Sequence, residues 1–364
     1  MNHSLPLLLL TMFLLTFSCS GDDDDVSPSL QRLSNLPLSG GLTDVWGYVD
    51  SAGKEYAIVG FGGFTAGGSP NSGFYIIDVS NPRSPEQVAK LTTVPGFDVK
   101  VWQHYVYAVD GGGVGQGGIV DISDVRNPRR VGEFASSHNI FIAENGLMYL
   151  QTQNQPLRIL DLNPDPVNPS LVWKGGNDGH DAAVIGQRLY DFGAFGSTNI
   201  FDVSNPANPV LLAAIDSPTI SFHHSGWPTE DARFLFICDE LADLNGRPSD
   251  FTVWDISDVD NPEQVGGFAD ADATVHNLYV IGQFAYVSYY HAGLRIFDVS
   301  NPSAPTIAQE FDTSTGRGSG FGGAFGVYPF APSGTIYVSD TQSGLHVFSF
   351  AGRGLNSSSS PIAP

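Results

Sequence analysis

The chain has 364 residues, a formal net charge of −22 and no basic stripe, which excludes a nucleic-acid partner whose phosphates would have to be neutralised. Glycine (42), proline (24) and 12% aromatics, with almost no amphipathic helical order, exclude a helical bundle and fit many short strands joined by tight turns. Two cysteines, Cys19 and Cys238, cannot supply a disulfide framework: Cys19 ends an apparent export signal, and Cys238 closes the apolar run Phe-Leu-Phe-Ile-Cys as a buried strand residue.

Residues 5–17 form an apolar run too short to span a bilayer comfortably, and residues 1–18 read as a signal peptide. Cys19, directly after Ser18, resembles the lipid-accepting cysteine of a bacterial lipobox, although Phe17 is bulky for that motif and the first residues carry no Lys or Arg. The run Ser-Gly-Asp-Asp-Asp-Asp that follows resembles the acidic tether of surface-exposed lipoproteins, so residues 19–26 are expected to be a lipidated cysteine and its tether. The expected location is the outer membrane, facing the cell exterior, with membrane contact only through the lipid.

From residue 27 a repeat takes over. Asp-Val-Ser-Asn-Pro at residues 78–82 recurs in variants led by Asp121, Asp161, Asp202, Asp255 and Asp298, spaced by 40 to 53 residues, and a worn copy in which Ser349 replaces the aspartate ends near Phe350. That period is the size of a four-stranded propeller blade. The clearest unit reads as inner strand 277–281, turn Gly282-Gln283, second strand 284–289, third strand 293–298 and outer strand 305–311. Each repeated aspartate can accept backbone N–H groups of the turn behind it, a structural rather than catalytic task. Six units own a fourth strand and the seventh has none, whereas residues 27–33 look like a fourth strand without a blade. The fold predicted is all-β: a seven-bladed propeller over 27–350, closed by the N-terminal strand completing the last blade, with a disordered Ser/Pro tail at 351–364.

Several stretches go beyond this generic repeat: Thr43-Asp-Val-Trp-Gly-Tyr-Val-Asp, His138-Asn-Ile-Phe-Ile, His224-Ser-Gly-Trp-Pro, His276-Asn-Leu-Tyr-Val and Val327-Tyr-Pro-Phe-Ala-Pro. With the Ile-Ile-Asp-Val repeats they resemble, across about residues 40 to 350, the LVIVD-repeat extracellular proteins of the choice-of-anchor B type. The resemblance implies a surface or secreted propeller held by an anchor, and it implies no reaction. The family's C-terminal sorting tail has no counterpart in residues 351–364, and Cys19 is the expected substitute.

In a propeller, inner strands start on the face where second strands end. Side chains opening inner strands (Asp44, Asp98, His138, Asn139, His180, Asp181, His223, His224, His276, Asn277) and closing second strands (Asp110, Asp191, Asp239, Glu240, Tyr290, His291, Asp340) therefore gather at one mouth. Six of the nine histidines belong there. The candidate ligand-binding set is His138, Asn139, His180, Asp181, His223, His224, Asp239, Glu240, His276, Asn277 and His291. Imidazoles beside carboxylates suit a divalent metal, for which His180, Asp181, His224, Asp239 and Glu240 are the candidate ligands, while strand-start His and Asn residues equally suit mutual hydrogen bonding that plugs the channel. The glycine-rich run at 111–118 precedes no helix and reads as a loop, not a phosphate cradle. Long loops at 60–73, 241–250 and 312–323 are expected at the mouth or its rim. Five tryptophans offer sugar-stacking faces if they are not core. No Ser-His-Asp or Cys-His arrangement emerges. The leading expectation is a monomeric binding module for a surface protein or glycan, with a metal-dependent hydrolase or lyase as the alternative and a purely structural module as a third.

Overall fold

Runs such as Phe-Tyr-Ile-Ile at 74–77 are nearly continuous in aromatic and β-branched residues, so they form strands buried on both faces between neighbouring sheets. In the computed structural model, which describes residues 1, 28–62, 71–176, 179–242, 246 and 249–352, such strands build seven antiparallel four-stranded sheets. Blades one to six each use four consecutive strands, with inner strands Leu42–Val49, Asp98–Trp102, Asn139–Ile142, Asp181–Ile185, His223–Pro228 and Leu278–Ile281. The seventh inner strand, Ala324–Tyr328, packs against the first and closes the ring. No helix occurs among the described residues. The expected signal, Cys19 with its tether, loop residues 63–70 and the tail from 353 lie outside them.

The repeated aspartates do what their turns require. Asp78, Asp121, Asp161, Asp202, Asp255 and Asp298 each accept the N–H of the residue two positions on, at 2.8 to 3.0 Å. In all six of these blades the pairing of third and outer strands slips by one residue, for example between Ile76 and Ile77, a bulge that adds twist where the outer strand meets solvent.

Blade seven is shared by the two ends of the chain. Ser29–Leu36 forms its outer strand, antiparallel to Gly344–Ala351, in a register running from Ser29 opposite Ala351 to Leu36 opposite Leu345. The closing strand therefore exists as expected, displaced a few residues beyond the predicted 27–33. Cys238 is buried and unpaired among the described residues.

Candidate functional site

Because the inner strands run in parallel around the axis, residues at one register level face each other across it. Phe97, His138, His180, His224, His276 and Phe325 occupy one such level in blades two to seven and form a closed circle of rings. Successive centroids lie 4.9, 4.3, 4.5, 4.6, 4.2 and 5.7 Å apart. Three of the imidazoles are oriented by carbonyls: His138 Nδ1 lies 2.6 Å from Gly111 O, His180 Nδ1 3.2 Å from His224 O and His276 Nδ1 2.6 Å from Phe325 O. A carbonyl only accepts, so each Nδ1 carries the hydrogen and each Nε2 keeps its lone pair. Burial pushes all four rings below the ordinary histidine range, His224 and His276 to about 3, so they are neutral.

Beneath the circle lies a cavity of about 230 Å³, walled by inner strands of every blade. Its polar wall includes Asp44, Asp98, Lys100, Asn139, Asp181 and Asn277, and its apolar wall includes Trp46, Phe141, Trp227 and Tyr279. Lys100 Nζ contacts Asp44 at 2.7 Å and also Asp98, whose second oxygen accepts the Ile140 N–H at 2.6 Å. Burial pushes the Asp98 carboxyl up, but the Lys100 ammonium and these hydrogen bonds outweigh it and hold the group below its ordinary range. Burial leaves Asp44 raised despite the same lysine, and it raises Asp181, with help from the Asp98 charge, to about 7. Asn139 Oδ1 and Asn277 Oδ1 are buried and meet no hydrogen-bond partner among the described residues, and the His224 ring leans on the His276 backbone.

Glu240 and Tyr290 stand over the circle from the ends of second strands. Glu240 Oε2 lies 3.6 Å from His224 Nε2 and Oε1 lies 3.7 Å from His276 Nε2, while the Tyr290 hydroxyl donates to Oε1 at 2.6 Å. Two groups of possible metal ligands thus share His224: His180 with Asp181, and Glu240 with His276, the ligand atoms of each group lying within 4.8 Å of one another.

Eight of the eleven candidate residues line the cavity: His138, Asn139, His180, Asp181, His224, Glu240, His276 and Asn277. Three do not, and each is turned away by local geometry. The Asp239 carboxylate caps the backbone N–H groups of Ser221, Phe222 and Leu241, which removes it from the expected metal set. His223, adjacent to His224 on an extended strand, points to the opposite side, where Nδ1 meets Thr198 Oγ1 at 2.8 Å. His291 packs on the loop of 312–323, with Nδ1 3.1 Å from Gly318 O. Asp110 gathers the N–H groups of Gly112, Gly113 and Gly115, so the glycine-rich run folds around its carboxylate. Of the long loops, the one at 312–323 sends Phe321 to the cavity rim, and the other two lie partly outside the described residues.

Sequence reasoning missed Lys100, Phe97 and Phe325. The alternation Asp98-Val99-Lys100-Val101 carried the signal for Lys100, since the residue two after an axis-facing aspartate also faces the axis. Two of the tryptophans, Trp46 and Trp227, reach the cavity, and the other three do not line it.

The LVIVD repeat family model matches residues 68–93, 194–216 and 273–313, segments that fall in blades one, four and six. No curated protein sequence matches the chain. Among solved structures the chain is similar to BamB from Moraxella catarrhalis, with a TM-score of 0.52 and 11% identity over 90% of this chain and 99% of that one, a likeness of fold alone.

Proposed function

We propose that this chain is an exported LVIVD-repeat propeller of the choice-of-anchor B type, tethered to the outer membrane by lipid on Cys19. In this reading it binds a surface partner by admitting a small polar group to its axial cavity. One observation carries the binding role: the axis is not filled by side chains that satisfy one another. Asn139 and Asn277 line a void of about 230 Å³, and their Oδ1 atoms have no partner among the described residues. That volume falls below the roughly 300–1,000 Å³ of sites for drug-sized ligands, so the entering group is small. The amide side chains of Asn139 and Asn277, next to the faces of Trp46 and Trp227, fit a sugar residue of a glycan better than a charged side chain.

Two experiments address the two halves of this reading. Metabolic labelling with a radioactive fatty acid should mark the wild-type chain and leave Cys19→Ala unlabelled; equal labelling would remove the anchor from the proposal. On a glycan array the mature protein should retain a defined set of sugars, and Asn139→Ala/Asn277→Ala should lose them. Retention unaffected by the double substitution would move the binding surface away from the axis. A metal-dependent hydrolase or lyase is the second reading, and it draws on the His224, Glu240 and His276 cluster.

A further inference from the structure

From the placement of His224, Glu240 and His276 we infer that the propeller holds one divalent transition-metal ion, of the zinc class, at the mouth of its axial channel. The inference rests on the axial-cavity reading and names a resident of that same site.

The ligand set is the first reason. Two imidazole nitrogens and one carboxylate, with remaining positions open toward the cavity, are the donors that zinc-class ions take in catalytic and transport sites. Ligand atoms about 2.1 Å from a tetrahedral ion stand about 3.4 Å from each other. The separations of 3.6 and 3.7 Å between Glu240 and the two Nε2 atoms are too long for hydrogen bonds and within a few tenths of an ångström of that spacing. The side chains face one another without bonding one another.

Support behind the ligands is the second reason. Metal-binding histidines ordinarily donate their other ring N–H to a carbonyl or carboxylate, which fixes the ring and exposes the ligating lone pair. His276 does so to Phe325 O at 2.6 Å, and Tyr290 orients the carboxylate of Glu240 through its hydroxyl. The neighbouring group of His180 and Asp181 shares His224, so one ion on that ring excludes a second there.

The third reason is the state of the His224 ring. His224 is 3% exposed, and its ring leans on the His276 backbone, which favours the hydrogen on Nδ1. Its Nε2 lone pair then faces Glu240 Oε2 at 3.6 Å, an acceptor that cannot donate to it. An ion on Nε2 gives that lone pair and the carboxylate a common partner. Besides Glu240, the cavity wall carries three carboxylates against one lysine among the described residues, a field that favours a cation.

The test uses the full-length, tag-free protein, stripped with chelator and titrated with Zn²⁺ by calorimetry, then with Co²⁺ followed by visible absorption. One equivalent of Zn²⁺ should bind, and Co²⁺ should develop a ligand-field band that Zn²⁺ erases. Glu240→Gln and His276→Gln should each weaken binding by about tenfold or more, with circular dichroism of the metal-free proteins unchanged, while Asp181→Asn should weaken it much less, through the field alone. Sub-stoichiometric binding overturns the inference, as does binding that Glu240→Gln leaves intact, which would mark adventitious ions on the acidic surface. Loss in Asp181→Asn alone overturns it in favour of the neighbouring group. Array binding by the chelator-stripped protein separates the two proposals: sugars retained by a protein that takes up no metal remove the ion only, and sugars lost irrespective of metal remove the cavity reading.

Discussion

At the scale of single residues, Lys100 governs the electrostatics of the axis. Among the described residues it is the sole cation on a wall that carries Asp44, Asp98, Asp181 and Glu240, and the side chains of Lys100, Asp44 and Asp98 are only 5 to 6% exposed. Through Asp44, and through Asp98 to the Ile140 N–H, this one ammonium links the inner strands of blades one, two and three. Replacing it by the similarly long Met removes the counter-charge from two buried carboxylates. Lys100→Met should destabilise the fold by about 3–5 kcal/mol, read as a shift of the urea unfolding midpoint at constant slope. Adding Asp44→Asn and Asp98→Asn should restore part of the loss, because the cost lies in the stranded charges and not in the missing side chain. A triple variant no more stable than the single one would assign the loss to packing instead. Lys100 also shows why sequence reading of a site runs short. His and Asp are conspicuous at strand starts, while an axis-facing lysine inside a strand looks like any solvated charge until the strand is known to be innermost.

At the scale of the element, the seam between the two chain ends decides whether the ring is closed. The need for a donated strand was legible because the last repeat lacks a fourth strand and the first residues of the propeller resemble one. Its limits were not legible. The strand runs Ser29–Leu36 because its partner, Gly344–Ala351, is long enough to pair with it throughout, and a bulge between Arg32 and Ser34 lets the register slip without any turn residue to announce it. Across this seam His346 Nε2 meets Asn35 Nδ2 at 3.0 Å, and on its own side it meets Ser343 Oγ at 2.7 Å. Burial pushes His346 from the ordinary 6.5 down to about 4, so between those values the unfolded chain binds more protons than the folded ring. Its contribution is therefore complete above pH 6.5 and is lost as pH falls toward 4. Wild type should lose up to about 3 kcal/mol more than His346→Gln over that window, measured by urea unfolding at several pH values. Parallel pH profiles of the two proteins would mean that the seam opens before the imidazole is protonated.

At the scale of the whole molecule, the repeat was plain in the sequence and the axial site was only half visible, for one physical reason. Blade count depends on periodic turns, which the Asp-x-Ser-Asn-Pro signal marks, but which side chain meets the axis depends on the phase of each inner strand. In blade five the pairing shifts between His223 and Gly226, so no alternation rule selects His224 over His223. Nor does any motif equate Phe97 and Phe325 with the four histidines whose circle they complete. Closure itself makes a sharper claim about the molecule: the ring should depend on the contact between its ends and not on where the chain begins. Ser29 pairs with Ala351, and a methyl group at Gly352 would lie 3.3 Å from the Pro28 Cβ, so the ends are adjacent and a short glycine linker can join residue 352 to residue 28. New ends can be opened in the turn of blade four where Asn208 N–H donates to Asn205 O, an exposed loop that contributes nothing to the axis. This circular permutant should fold and unfold in one transition within about 1 kcal/mol of the parent, since the linker only exchanges one short loop for another. Deleting residues 28–36 from the unpermuted chain should instead expose the edge of Gly344–Ala351, lower the melting temperature and broaden the transition. A permutant that unfolds like the deletion would show that blade seven is held by the order in which the chain folds, not by the strand that completes it.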